Sequence, residues 1–159
     1  MKPSVEYRIA ALLEEKNIKV STAESCTGGL VAAALVNVAG ISNWFEEGYV
    51  TYSNTAKQKL LGVDKDTLEQ FGAVSEQTAR QMAIGAAKAA GCQAAVATTG
   101  IAGPDGGTDE KPVGLVYIGA VVRDDIVIEK HIFKGDRADV RKQSTQAALE
   151  LLEQMLEKD

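Results

Sequence analysis

Apolar positions recur at helical spacing in some stretches of the chain and as short β-rich runs in others. Val5, Ile9, Leu12 and Leu13 share one face of a predicted helix, with Ser4 as its cap and an end near Asn17. Residues 18–23 read as a short strand. Thr27-Gly28-Gly29 and a helix of small residues reaching Val38 come next. Residues 45–53 read as a second strand, after which Asn54 can cap a short helix carrying Ala56, Lys57, Leu60 and Leu61. Leu68 and Phe71 mark a further short helix or turn. Ser75 then caps a stronger one, with Ala79, Met82, Ala83, Ala86 and Ala90 at helical spacing and Gly91 as its stop.

Residues 94–98 have the pattern of a buried strand that runs into a loop from Gly100 to Pro112. Residues 113–122 and 126–133 predict a hairpin around the polar turn Arg123-Asp124-Asp125. Asp136 caps a last helix whose apolar stripe includes Val140, Ala147, Leu151 and Met155. Strands alternating with helices predict an α/β fold, a three-layer α/β/α sandwich over one domain, residues 1–159. The hairpin makes the sheet mixed, though mostly parallel, with about five strands. The small-residue helices around Val31 to Val38 and Ala79 to Ala90 offer faces for a homo-oligomer.

Composition narrows the function. Hydrophobic residues make up 45% and charged residues 25%, a globular balance. Aromatics at 5% and a net charge of −5 give no stacking platform and no basic footprint, which argues against a nucleic-acid partner. Two cysteines make no disulfide framework, and no apolar run reaches membrane-spanning length. The chain also opens without a charged-then-apolar leader. The expectation is a reduced, cytoplasmic protein without a membrane partner.

Four places carry candidate chemistry. Ser25 lies where a strand gives way to a helix, and backbone N–H groups at a helix start can hold a developing oxyanion. The same serine, or Thr27, also suits a plain cap. Cys26 is a rival nucleophile in that turn, or a small buried thiol. The single histidine, His131, sits inside an apolar strand, so a serine hydrolase here needs another base. Lysine is the usual substitute. Lys57, in the first turn of its helix and partly buried, would have a lowered pKa, and Tyr52 stands near enough to relay a proton. The loop from Gly100 to Pro112 has glycines at 100, 103, 106 and 107, which can expose N–H groups to an anion. It is neither a Walker A loop nor a dinucleotide fingerprint. Arg137 and Arg141, one turn apart, make a phosphate clamp or a solvated charge pair. Asp105, Asp109 and Glu110 lack metal-site spacing.

Four motifs, in order, carry a resemblance: Ala-Glu-Ser-Cys-Thr-Gly-Gly, Val-Thr-Tyr-Ser-Asn-Thr-Ala-Lys, Gly-Ala-Val-Ser-Glu and Thr-Gly-Ile-Ala-Gly-Pro-Asp-Gly-Gly-Thr-Asp-Glu-Lys-Pro-Val-Gly. The chain resembles the C-terminal domain of the competence/damage-inducible CinA proteins, the nicotinamide-nucleotide amidases, in a stand-alone form. The resemblance implies hydrolysis of nicotinamide mononucleotide to nicotinic acid mononucleotide and ammonia, a step of pyridine-nucleotide salvage, with no metal or organic cofactor. It also implies a Ser25–Lys57 site with Tyr52 beside it. On that basis Cys26, Thr27, Gly28 and Gly29 are expected at the oxyanion. Thr99, Gly100, Gly103, Gly106 and Gly107 would enclose the substrate, and Arg137 and Arg141 would take its phosphate. The alternatives are a nucleotide-binding regulatory module without catalysis and a hydrolase of another small amide.

Overall fold

The computed structural model describes residues 1–159 and places five strands in one sheet. They are β1 (Val20–Glu24), β2 (Phe45–Val50), β3 (Ala94–Gly100), β4 (Leu115–Val122) and β5 (Asp125–Ile132), in the spatial order β2-β1-β3-β4-β5. β1 pairs parallel with β2 and β3, while β4 runs antiparallel to β3 and β5. The expected mixed sheet is therefore present, with β4 alone reversed. No helix is long and apolar enough to cross a membrane.

Side-chain alternation divides the core into two layers. Val20, Val96, Val116, Ile118 and Ala120 face a larger cluster built with α1 (Val5–Lys16), α2 (Leu30–Val36) and α6 (Arg137–Lys158). Ala23, Ala95, Ala97 and Val121 face the other side. There they meet Met82, Ala83 and Ala86 of α5 (Glu76–Ala90), with Leu61 from α3 (Asn54–Leu61) and Leu68 from α4 (Lys65–Phe71). Facing alanines draw α5 down onto the sheet. The small-residue stripe of α5 is thus core packing rather than a face for another subunit: Ala79, Ala83 and Ala86 are fully buried. In α2, Val31 and Leu35 are buried while Val36 is exposed. Gly85 brings α5 against the end of α3, because a Cβ there would fall on the Leu61 carbonyl.

Caps explain most helix boundaries. Ser75 accepts a bond from the Thr78 N–H, and Asp136 and Asp139 form a reciprocal capping box at the start of α6. Two expectations are corrected. Ser4 occupies the cap position of α1 but its side chain makes no cap bond. Ser53, not Asn54, caps α3, accepting from the Ala56 N–H at 3.0 Å.

Topology locates the functional crevice. From β1 the chain crosses one face through α2 to β2, then returns across the other face through α3, α4 and α5 to β3 on the opposite flank of β1. Strand order reverses between β1 and β3, and such a switch point opens a crevice at the strands' carboxyl ends. Ser25 follows β1 directly and its N–H bonds the Thr98 carbonyl of β3 at 3.0 Å.

Candidate active site

Ser25 and Lys57 lie 32 residues apart in sequence, yet the Lys57 Nζ is 3.1 Å from the Ser25 Oγ. Pairing brings them together: Glu24 sits opposite Val50 in the parallel β1–β2 ladder, and the Thr51 N–H bonds the Glu24 carbonyl at 2.8 Å. The two strands therefore end side by side, one leading into the serine and the other into α3. Lys57 is 1% exposed and has no carboxylate partner. Its other neighbours are the carbonyls of Thr51 at 2.8 Å and Tyr52 at 3.4 Å. Burial without a counter-ion lowers its pKa to about 8. A neutral amine has two hydrogens and one lone pair. With both hydrogens on the carbonyls, the lone pair is left for the Ser25 hydroxyl.

Glu24 governs the turn that follows. Its carboxylate, 1% exposed, accepts from the N–H groups of Val31 at 2.8 Å and Ala32 at 3.1 Å, and from the Thr27 hydroxyl at 2.5 Å. The open N-terminus of α2 is thus closed by the protein itself, which leaves the turn before the helix as the place for any open N–H groups. Between Ser25 and Ala32, only the N–H groups of Cys26, Thr27 and Gly29 carry no bond from the chain. Glu24→Gln puts an amide donor against the Val31 or Ala32 N–H or the Thr27 hydroxyl. It is expected to cost about 2–3 kcal/mol and to lower Tm by about 5–10 °C, read by thermal denaturation.

The remaining predicted residues separate into those at the cavity and those turned to other work. Ser25, Lys57, Thr99, Gly100 and Arg137 line a cavity of about 230 Å³. Tyr52 stands at its edge with 63% exposure, and its hydroxyl accepts from Arg137 Nη2 at 3.1 Å. That hydroxyl is not bonded to the serine or the lysine, so Tyr52 reaches Lys57 only through its carbonyl. Arg137 also donates to the Gly103 carbonyl at 2.8 Å, tying the long loop to the cavity mouth. Cys26 borders the cavity but is 5% exposed, and burial pushes its thiol up to about 11, which argues against a thiolate nucleophile. The Thr27 hydroxyl is buried against Glu24 and Thr98.

Several glycines have packing reasons. At Gly100 a Cβ would meet Val116, and at Gly103 and Gly107 it would meet Val113. Gly106 and Gly107 do not line the cavity. The loop folds on itself instead, with the Thr108 N–H on the Lys111 carbonyl at 2.8 Å. Gly28 and Gly29 have φ of 60° and 109°, so the turn after Ser25 itself requires them. Arg141 spends two donors on the carbonyls of Cys26 and Thr27, at 3.0 and 3.1 Å. His131 lies on β5, stacked on Phe133 and bonded to Glu129, with β4 and β3 between it and β1. Asp105, Asp109 and Glu110 are exposed on the loop.

Glu24, Thr51, Thr98 and the Ala73-Val74 pair are absent from the sequence-based site. Ala73 and Val74 form a cavity wall, and the Ala73 carbonyl accepts from the Thr99 hydroxyl at 2.8 Å. An acid placed directly before the serine is a usable sequence signal for Glu24. The carbonyl roles of Thr51 and Ala73 leave none.

Residues 2–156 match the CinA C-terminal domain family. The chain belongs to that family. It is 52% identical over 153 residues to a CinA-like protein of Kosmotoga olearia, covering 96% of this chain and 37% of the relative. The chain thus spans little more than a third of the length of this curated relative. Among solved structures, a competence/damage inducible protein from Agrobacterium tumefaciens is 44% identical with a TM-score of 0.93, over 99% of this chain and 98% of that one. A CinA superfamily protein from Escherichia coli is 35% identical with a TM-score of 0.89, over 95% and 90% of the two chains. These CinA structures share the mixed five-stranded α/β fold.

Proposed function

We propose that this CinA-family chain hydrolyses the carboxamide of nicotinamide mononucleotide to nicotinic acid mononucleotide and ammonia, with Ser25 as nucleophile and Lys57 as base. The observation that carries the chemistry is the buried Lys57 amine, 3.1 Å from the Ser25 Oγ and lacking any counter-ion. With a pKa of about 8, roughly a tenth of it is neutral at pH 7. That fraction is a competent base, and the protonated form is a competent acid.

Neutral Lys57 takes the Ser25 proton as Oγ attacks the carboxamide carbon. The unpaired N–H groups of the turn, with Cys26 at the cavity, receive the oxyanion. The Lys57 ammonium returns the proton to the leaving nitrogen, and ammonia departs. Lys57 then deprotonates a water that attacks the ester, restoring Ser25 and releasing the acid. Tyr52 takes no proton in this scheme.

The nucleotide assignment draws on the family motifs and on a second cavity of about 690 Å³, which shares Ala102 and Arg137 with the first. Ring and carboxamide would occupy the inner cavity, with the phosphate end toward Arg137. Incubation with nicotinamide mononucleotide is expected to release ammonia and nicotinic acid mononucleotide in equal amounts. Saturable binding of the nucleotide without ammonia would overturn the hydrolase in favour of a regulatory module. Arg137→Ala is expected to raise KM for the nucleotide about tenfold or more, with little effect on free nicotinamide. Equal effects on both would remove Arg137 from the phosphate.

A further inference from the structure

Spacing along α6 pairs Arg141 with Arg137, yet the two side chains do different things. Nε and Nη2 of Arg141 donate to two successive carbonyls, those of Cys26 and Thr27, in the turn that carries Ser25. Arg141 is the sole chain donor to the Cys26 carbonyl. We propose that Arg141 is a positioning residue: by holding the Cys26 carbonyl it presents the free Thr27 N–H of the same peptide, and not that carbonyl, to the reacting carboxamide. The inference rests on Ser25 acting as the nucleophile.

The geometry follows from peptide planarity. In a trans peptide the C=O and the next N–H point in opposite directions. Drawing the Cys26 carbonyl onto Arg141 turns the Thr27 N–H away from the guanidinium. Drawing the Thr27 carbonyl there turns the Gly28 N–H away as well, and that group bonds the Ser25 carbonyl at 3.1 Å. The turn needs such a hold, because Gly28 and Gly29 at positive φ offer little resistance to peptide rotation. Gly28 also admits the clamp: a Cβ there would lie 3.3 Å from Arg141 Nη2. A planar fork can grip two carbonyls at fixed separation, which an ammonium cannot.

A fluorophosphonate probe tests this without reference to the natural substrate. Ser25 Oγ forms a bond to phosphorus, the P–F bond breaks, fluoride leaves and the Oγ proton passes to Lys57. The phosphoryl oxygen then uses the same N–H groups as a carboxamide oxyanion. Wild type is expected to be labelled at Ser25, as located by mass spectrometry. Arg141→Ala should label about 100-fold more slowly, with added guanidinium restoring at least about tenfold of that loss and methylammonium restoring little. Arg141→Lys, retaining charge and alkyl chain, should fall between the two. The limb near pH 8 that reports Lys57 should stay in place in each variant.

Labelling of Arg141→Ala at the wild-type rate would overturn the proposal. So would slow labelling that guanidinium does not improve and whose pH limb has moved, because that pattern belongs to a collapsed turn. A raised KM for nicotinamide mononucleotide with unchanged kcat would return Arg141 to the phosphate. Failure of the nucleophile reading shows up separately, as wild type that is not labelled at Ser25.

Discussion

Ser25→Ala is expected to lower ammonia release from nicotinamide mononucleotide by at least about 1,000-fold while moving stability by no more than about 1 kcal/mol. The structure separates the two effects. The Ser25 backbone is held by its N–H on Thr98 and its carbonyl on Gly28, and both bonds survive the substitution. What is lost is Oγ, whose one recorded partner is the Lys57 Nζ. Ammonia assay and thermal denaturation of the same preparation check this together. A folded Ser25→Ala protein with full turnover would remove Ser25 as the nucleophile. Cys26 could not easily replace it, since burial keeps its thiol protonated.

Lys57→Met is expected to cost about 1,000-fold in kcat/KM at neutral pH, yet to leave the protein at least as stable there. For wild type, kcat/KM should rise with pH through about 8 and level off above it, because the neutral amine is the active form. The stability sign follows from the same shift. The folded pKa of about 8 lies below the ordinary 10.5, so between those values the unfolded chain binds more protons and wild-type stability rises with pH. Below about pH 8 the buried ammonium costs about 3 kcal/mol. Methionine avoids that cost while leaving the Thr51 carbonyl short of a donor. The variant's Tm advantage should therefore shrink as pH rises from 8 to 10.5, as denaturation scans at each pH would show. An unshifted pH–rate profile in Lys57→Met, with normal turnover, would remove Lys57 as the base.

The fold was legible wherever local pattern and local chemistry agree. Ser75 and Asp136 are caps in sequence and in structure, and β4 and β5 form the expected hairpin, though its turn is Arg123-Asp124 because Asp125 already pairs with Val122. Ser25 and Lys57 could be named because one lies at a strand-to-helix junction, the other is a lysine in a helix's first turn, and the family motifs contain both. Residues whose contacts the sequence did not reveal share a different property, in that those contacts depend on where a side chain points across the fold. Arg141 reads as half of a phosphate clamp or a solvated charge on α6, and its side chain donates to the Ser25 turn. Gly103 and Gly107 read as an anion cradle, but what they accommodate is Val113. Glu24 caps a helix that starts six residues later, beyond the reach of any local capping pattern.

The contact at Gly85 ties the Lys57 helix to a neighbour far from the cavity. Lys57 and Leu61 are one helical turn apart on α3, and the Leu61 carbonyl rests against α5 where Gly85 has no side chain. The helix that carries Lys57 is therefore backed by α5 at a place where α5 has no side chain. Mutational tolerance in this protein should not fade smoothly with distance from the cleft. Gly85→Ala, at a residue that does not line the cavity, should therefore displace the helix that carries Lys57.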